Sequence, residues 1–180
     1  MMLSLAACGT SSEDTETESQ TTTQTSTEDT SAEDSEENTT EAANEADTPE
    51  TITITSLNAA GEETDLEVPY NPERIAILDM AALDILDSLG VADRVVGSAD
   101  TSLEYLSDYA GNESIENLGT IKEADLEAVM ACEPDVIFIG GRLAASYDAL
   151  SEIAPVIYLS TDSELGVVES IRKNAGTIAS

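Results

Sequence analysis

Val136-Ile137-Phe138-Ile139-Gly140-Gly141-Arg142 is four consecutive apolar residues, a glycine pair and a cation. β-Branched and aromatic side chains without a polar break suit a strand covered on both faces. Upstream, Leu126, Val129 and Met130 supply the apolar stripe of a helix that Pro134 must end, because proline has no N–H for the helical ladder. Downstream, Leu143, Tyr147, Leu150 and Ala154 recur at helical spacing, and Val156-Ile157-Tyr158-Leu159 reads as a further strand. Helix, strand, helix and strand follow one another here within about forty residues, the size of a parallel crossover unit.

The same alternation continues toward the N-terminus. Arg74-Ile75-Ala76-Ile77-Leu78 is another short apolar run, followed by a helix whose Leu83, Leu86 and Leu89 share a face. Gly90 stops that helix where a left-handed residue is needed. Val95-Val96-Gly97 reads as a strand, and residues 103–109 as a helix ending near Gly111. Ile52-Thr53-Ile54-Thr55 and Leu66-Glu67-Val68 alternate with period two around Asn58-Ala59-Ala60-Gly61, the pattern of a hairpin with one wet face; Pro69 and Pro72 close it. A last amphipathic segment begins near Leu165. The expectation is an α/β fold: a three-layer α/β/α, Rossmann-like lobe with a mostly parallel sheet and an N-terminal β-hairpin.

Charge divides the chain. The 180 residues carry 38 acids, 6 bases and no histidine, a formal −32. Residues 9–50 hold 14 of the acids, no base, no aromatic residue and no Val, Ile, Leu or Met, amid dense Ser and Thr. Such a segment cannot bury enough apolar surface to offset the entropy of ordering, so a disordered, charge-extended tether is expected there. The folded lobe is assigned to residues 51–164, and residues 165–180 to the start of a helix leading out of it. Sparse Lys and Arg argue against nucleic acid as a partner. Without histidine there is no His-dependent triad, no HExxH zinc site and no imidazole pH switch. Cys8 and Cys132 are too few for a disulfide framework or a four-thiolate site. Neither GxGxxG nor the phosphate loop GxxxxGK[ST] is present.

In open parallel sheets, ligands collect beyond the carboxyl ends of the strands. That rule selects Asp79 and Met80, residues 98–101 beginning with Ser98, then Gly140, Gly141 and Arg142, and finally Ser160 and Thr161. Asp79 also reads as a carboxylate at a helix N-terminus, stabilised by the macrodipole; Asp125 and Glu127 read as solvated helix residues. The glycine pair lets backbone approach a ligand closely, and the guanidinium of Arg142 adds five fixed donors. Its other reading is a surface pair with a carboxylate such as Asp148. Arg74 and Arg94 begin strands at the opposite end of the sheet, where a structural role is expected. Cys132, in an apolar helix, reads as a buried structural cysteine.

Several spaced motifs carry a resemblance. Leu5-Ala6-Ala7-Cys8-Gly9 resembles a bacterial lipoprotein processing site, with residues 1–8 as the remnant of a signal. Pro72-Glu73-Arg74-Ile75 through Leu78-Asp79, Leu86-Asp87-Ser88-Leu89-Gly90-Val91, Leu118-Gly119, Ala124-Asp125-Leu126-Glu127-Ala128-Val129 and Glu133-Pro134-Asp135-Val136-Ile137 resemble the iron–siderophore substrate-binding lipoproteins of ABC importers. Gly140-Gly141-Arg142, Tyr147-Asp148-Ala149-Leu150 and Ile153-Ala154-Pro155 resemble the catecholate-type branch. The resemblance implies a two-lobed receptor, here as its N-terminal lobe with the second lobe missing, tethered outside the cell membrane through a lipid on Cys8. It implies an iron(III)-siderophore as ligand, permease subunits as partners, no catalysis, and no resident cofactor, the iron entering only within the chelate. Gly140, Gly141, Arg142, Met80, Ser98 and Thr161 would face that ligand. Ala145 adds no second cation, so a hydroxamate, haem or cobalamin cargo stays open. Another class, an α/β enzyme with its active site elsewhere, would need a nucleophile or redox centre that this segment does not display.

Overall fold

The computed structural model describes residues 50–180, all within one unit, Asn44–Ser180. The processing pattern at Cys8 and the acidic tether, up to residue 49, lie outside the described residues. Strands β1 (Thr51–Leu57) and β2 (Glu63–Pro69) pair antiparallel, with Thr51 opposite Pro69 and Leu57 opposite Glu63. Their turn is held by the Asn58 side chain, whose Oδ1 accepts from the N–H groups of Ala60 and Glu62 at 2.9 and 3.0 Å.

The main sheet follows: β3 (Ile75–Leu78), β4 (Val95–Ser98), β5 (Glu116–Asn117), β8 (Val136–Ile139) and β9 (Val156–Tyr158). Its spatial order is β5-β4-β3-β8-β9, and every neighbouring pair is parallel. A small antiparallel pair, β6 (Gly119–Thr120) with β7 (Glu123–Ala124), stands apart. Helices α1 (Met80–Leu89), α2 (Leu126–Ala131), α3 (Tyr147–Ser151) and α4 (Val167–Ile178) complete the described elements.

The uninterrupted apolar runs of β3 and β8 are explained by two cores, one on each side of the sheet. Ile75, Ile77 and Phe138 join Leu83 and Leu86 of α1, with Ile54 and Val68 of the hairpin, on one face. Ala76, Leu78, Ile137 and Ile139 join Val129 of α2 and Leu143 and Leu150 on the other. Alternate residues of one strand thus feed opposite cores, giving the three layers expected. Burying each of the Val, Leu, Ile and Phe side chains among them contributes about 1.5–3 kcal/mol. The hairpin is tied to the sheet edge by Ser56, whose hydroxyl accepts from the Tyr158 N–H at 2.9 Å.

Helix ends are settled by the residues the sequence places there. Asp79 caps α1, its Oδ1 accepting from the Ala82 N–H at 3.0 Å. Gly90 closes α1 with φ 73° and ψ 26°, a left-handed cap. Asp125, read as a solvated helix residue, instead caps α2, accepting from the N–H groups of Glu127 and Ala128, each at 3.1 Å. At the other end of α2, Arg74 Nε donates to the carbonyls of Glu133 at 2.9 Å and Cys132 at 3.1 Å. Those carbonyls have no further turn to bond, so the guanidinium satisfies orphan acceptors at the negative end of the helix dipole. Arg94 Nη1 donates to Asn71 Oδ1 at 2.6 Å and to the Pro72 carbonyl at 3.2 Å. Both arginines therefore do the structural work expected of them. Cys132 is the capping residue of α2 rather than an interior one, yet it is buried. Burial pushes its thiol pKa up, Glu116 pushes the same way, and Arg74 pulls down; a raised pKa keeps the sulfur as unreactive thiol.

Two expected helices differ. Residues 103–109 form only a 3₁₀ turn, Glu104–Leu106: Leu106 is fully buried and Tyr109 half-buried against the core, while Leu103 and Tyr105 face solvent, and so short a segment with two anchors does not offset helix nucleation. The stripe from Leu143 to Ala154 is split into a 3₁₀ segment, Gly141–Ser146, and α3, with Ala154 beyond the helix. The last helix appears at Val167–Ile178, with Val167, Val168 and Ile171 exposed.

Tyr109 lies below the 3₁₀ turn and donates its phenolic hydrogen to Asp87 Oδ1. That hydrogen bond, then burial and the Asp87 charge, pushes the phenol up to about 12. Between the unfolded value near 10 and about 12 the folded protein holds a proton that the unfolded chain has lost. Stability is therefore fully present below pH of about 10 and falls as pH rises through that window. Urea unfolding across this range should show a smaller alkaline loss for Tyr109→Phe than for the parent protein.

Candidate functional site

The chain leaves β3, β8 and β9 on the same side of the sheet, and their exits surround a cleft of about 590 Å³. Asp79 and Met80 come from the β3–α1 junction, Gly140, Gly141 and Arg142 from the end of β8, and Ser160 and Thr161 from the end of β9. Five of the six residues expected to face a ligand are thereby brought together. Ser98 is not among them. It is 3 % exposed within β4, and its hydroxyl donates to the Ala99 carbonyl at 3.1 Å. The chain beyond β4 turns back onto β6, with the Asp100 N–H bonded to the Gly119 carbonyl at 2.8 Å, so this exit is closed.

The two glycines have different reasons. Gly140 is buried with φ −106°, a conformation open to any residue, so conformational freedom is not what requires it. A Cβ there would lie 2.2 Å from Asp79 Oδ2. Gly140 is small because the capping carboxylate of α1 occupies the space beside it. At Gly141 a Cβ would meet only the Tyr158 hydroxyl, at 3.6 Å, an ordinary contact. Gly141 is exposed and opens the 3₁₀ segment that carries Arg142 at its second position.

Arg142 is exposed, and among the described residues it forms neither an ion pair nor a side-chain hydrogen bond. The pair with Asp148 is not made; the ion pairs present are Arg172 with Glu169 and Lys173 with Glu63. Asp79 is the other charged group lining the cleft, and one of its oxygens is committed to the α1 cap. The cleft thus holds one cation without a protein partner among the described residues and one carboxylate whose charge is offset in part by the N-terminus of α1. Five donors in a planar fork can hydrogen-bond clustered anionic oxygens.

Five lining residues were not anticipated: Ala81 and Leu159, adjacent in the chain to selected positions, and Ile121, Tyr158 and Asn174. Tyr158 carries a sequence signal, a phenol at the final position of an apolar strand, where the ring can be buried and its tip stay wet. Asn174 sits on α4, donating to the Ser160 carbonyl at 3.3 Å, and Ile121 lies in the short β6–β7 turn. Neither position has a local pattern that points to the cleft.

A second cavity, about 350 Å³, lies at the opposite ends of the strands between the hairpin, α1 and the end of α4. It is apolar, and its cation, Arg94, is already bonded to Asn71 and Pro72. It lacks converging free polar groups.

Known proteins share this fold. The petrobactin-binding protein YclQ of Bacillus subtilis (strain 168) is 38 % identical over 113 residues, 62 % of this chain and 35 % of that protein. Its crystal structure superposes with a TM-score of 0.64 at 34 % identity, covering 71 % of this chain and 44 % of the other. The periplasmic catecholate-siderophore binding protein VctP of Vibrio cholerae gives a TM-score of 0.62 at 28 % identity, again over 71 % and 44 %. The chain thus spans between a third and a half of the length of these relatives, which are named as binding proteins. Residues 75–180 match the family model described as periplasmic binding protein, and the chain belongs to that family.

Proposed function

We propose that the chain is part of the extracytoplasmic substrate-binding component of an ABC importer, and that the cleft at the carboxyl ends of β3, β8 and β9 contacts an iron(III)-siderophore of catecholate type. The observation that carries this reading is the Arg142 guanidinium, unpaired among the described residues, at the rim of a cleft formed by strand exits. A ferric catecholate is a compact multiple anion whose oxygens already ligate the metal. Charge-assisted hydrogen bonds from Arg142 to those oxygens would each contribute about 1.5–3 kcal/mol. The iron is cargo, held by the chelate throughout. Support also comes from the names of the two relatives, one binding petrobactin and one catecholate siderophores. In the same reading Cys8 carries a lipid, residues 9–50 act as a tether, residues 51–164 form one lobe of the receptor, and a membrane permease receives the chelate.

The test is a titration of the intact protein, followed by its tyrosine fluorescence, against ferric catecholate, ferric hydroxamate, haem and cobalamin. The sequence has 5 Tyr and no Trp, so the signal comes from phenols, two of which lie in or beside the cleft. Saturable quenching by the ferric catecholate, with weaker or no response to the others, is expected. No saturable response to any iron chelate would reject the reading, and tighter binding of haem or cobalamin would replace the ligand class.

A further inference from the structure

Tyr158 is 7 % exposed, yet its hydroxyl has no hydrogen-bond partner among the described residues. No buried side-chain oxygen or nitrogen there is left unsatisfied, so this hydroxyl is not sealed inside; it emerges into the cleft that Tyr158 lines. The ring is more than nine-tenths buried while its tip stays open to the cleft, free to hydrogen-bond water or a ligand.

Everything around the ring fixes where that tip points. The Tyr158 backbone sits opposite Ile139 in the sheet, and its N–H is held by Ser56 Oγ at 2.9 Å. Tyr147 packs against it with ring centroids 6.4 Å apart and planes tilted by 48°. The hydroxyl is the nearest atom to the position a Gly141 side chain would take, at 3.6 Å. It therefore stands beside the residue that precedes Arg142. The phenol stands beside Gly141 and Arg142 follows it in the chain, both lining the same cleft, and Gly141, having no side chain, leaves the space over it open.

We infer that Tyr158 is a second ligand-contacting residue of this cleft, donating its phenolic hydrogen to an anionic oxygen of the bound chelate next to the one held by Arg142. The inference rests on the chelate-binding reading above and adds to it a neutral donor with a fixed direction. A neutral phenol gives a hydrogen bond without bringing net charge, so it favours ligands whose oxygens are closely spaced over those with a single exposed anion. Because the ring is already immobilised, little conformational entropy is lost when the bond forms.

The experiment is calorimetric titration of the intact protein and its Tyr158→Phe and Arg142→Ala variants with iron(III)–catecholate, alongside thermal unfolding of each without ligand. Tyr158→Phe keeps the ring and removes only the hydroxyl. Binding about 10-fold weaker or more is expected, the worth of one hydrogen bond to a charged group, with an unchanged melting midpoint because no internal bond is lost. Wild-type affinity in Tyr158→Phe, with Arg142→Ala weakened, would overturn this inference and leave the chelate-binding reading standing. A lowered midpoint in Tyr158→Phe would overturn it too, by revealing an internal partner for the hydroxyl. Absence of saturable binding by the unmodified protein would defeat both.

Discussion

Arg142→Ala is expected to weaken binding of a ferric catecholate by about 10- to 100-fold, corresponding to the loss of one charge-assisted hydrogen bond, while leaving the unliganded protein as stable as before. The two halves of that expectation have separate causes. Binding falls because the free cation of the cleft is gone, and Asp79 then remains as its charged group. Stability is kept because the side chain is exposed and has no partner to lose among the described residues. Arg142→Lys should fall between, retaining charge but losing the planar fork that can bond two oxygens at once. The surrounding charge sharpens the point: 24 acids accompany the six bases from residue 51 onward. Such a surface repels an anion at long range, and physiological salt screens that repulsion beyond about 8 Å, so the contact charge decides the affinity. Titration calorimetry with thermal unfolding of each variant checks both halves, and a destabilised Arg142→Ala would show that the guanidinium has a structural task.

Gly140→Ala is expected to cost about 1–3 kcal/mol of stability, the range for overpacking a filled site. The methyl group would fall 2.2 Å from Asp79 Oδ2, far inside contact distance. Asp79 cannot swing aside freely, because its other oxygen holds the Ala82 N–H that caps α1. Moving the carboxylate gives up the cap, itself worth about 1 kcal/mol. The collision and the cap therefore share one side chain, and the two substitutions should be non-additive. In an Asp79→Ala background, where the cap is already lost, Gly140→Ala should cost about 1 kcal/mol less or better, a coupling typical of residues in contact. Urea unfolding of the four proteins measures this. Strict additivity would mean that something other than the carboxylate excludes a side chain at position 140.

Much of this arrangement is legible in the sequence where side-chain pattern and burial say the same thing. Ile75, Ala76, Ile77 and Leu78 read as a doubly covered strand because alternate residues enter different cores. The hairpin is visible because only one of its faces is covered, so Ile54 and Val68 alternate with exposed threonine and glutamate. Gly90 marks a helix end because the left-handed cap favours glycine. The cleft is predictable to the extent that it follows from strand exits: Met80, Gly140, Gly141, Arg142 and Thr161 all arrive there. Ser98 fails for a topological reason. Its strand exits too, but Leu118 bonds back to the Ser98 carbonyl at 3.0 Å and folds the chain over that end. Two-residue strands such as β5, β6 and β7 have no periodicity to detect, and they are set by long-range pairing. The glycine pair misleads in part, since Gly140 answers to a neighbouring carboxylate that lies 61 residues away in sequence. Tyr158 goes unnoticed because an apolar strand absorbs a tyrosine without comment; what singles it out is a hydroxyl that opens on the cleft with no partner among the described residues.

The most direct measurement is a map of backbone amide chemical shifts in the isotopically labelled intact protein as gallium(III)–catecholate is added, gallium replacing iron because it is diamagnetic. The largest changes are expected at Met80, Gly140, Gly141, Arg142, Tyr158 and Thr161, with Ser98 unmoved and the apolar cavity beside Ile178 silent. Shifts gathered instead around that cavity, or none on saturation with the complex, would contradict the assignment of this cleft as the chelate site.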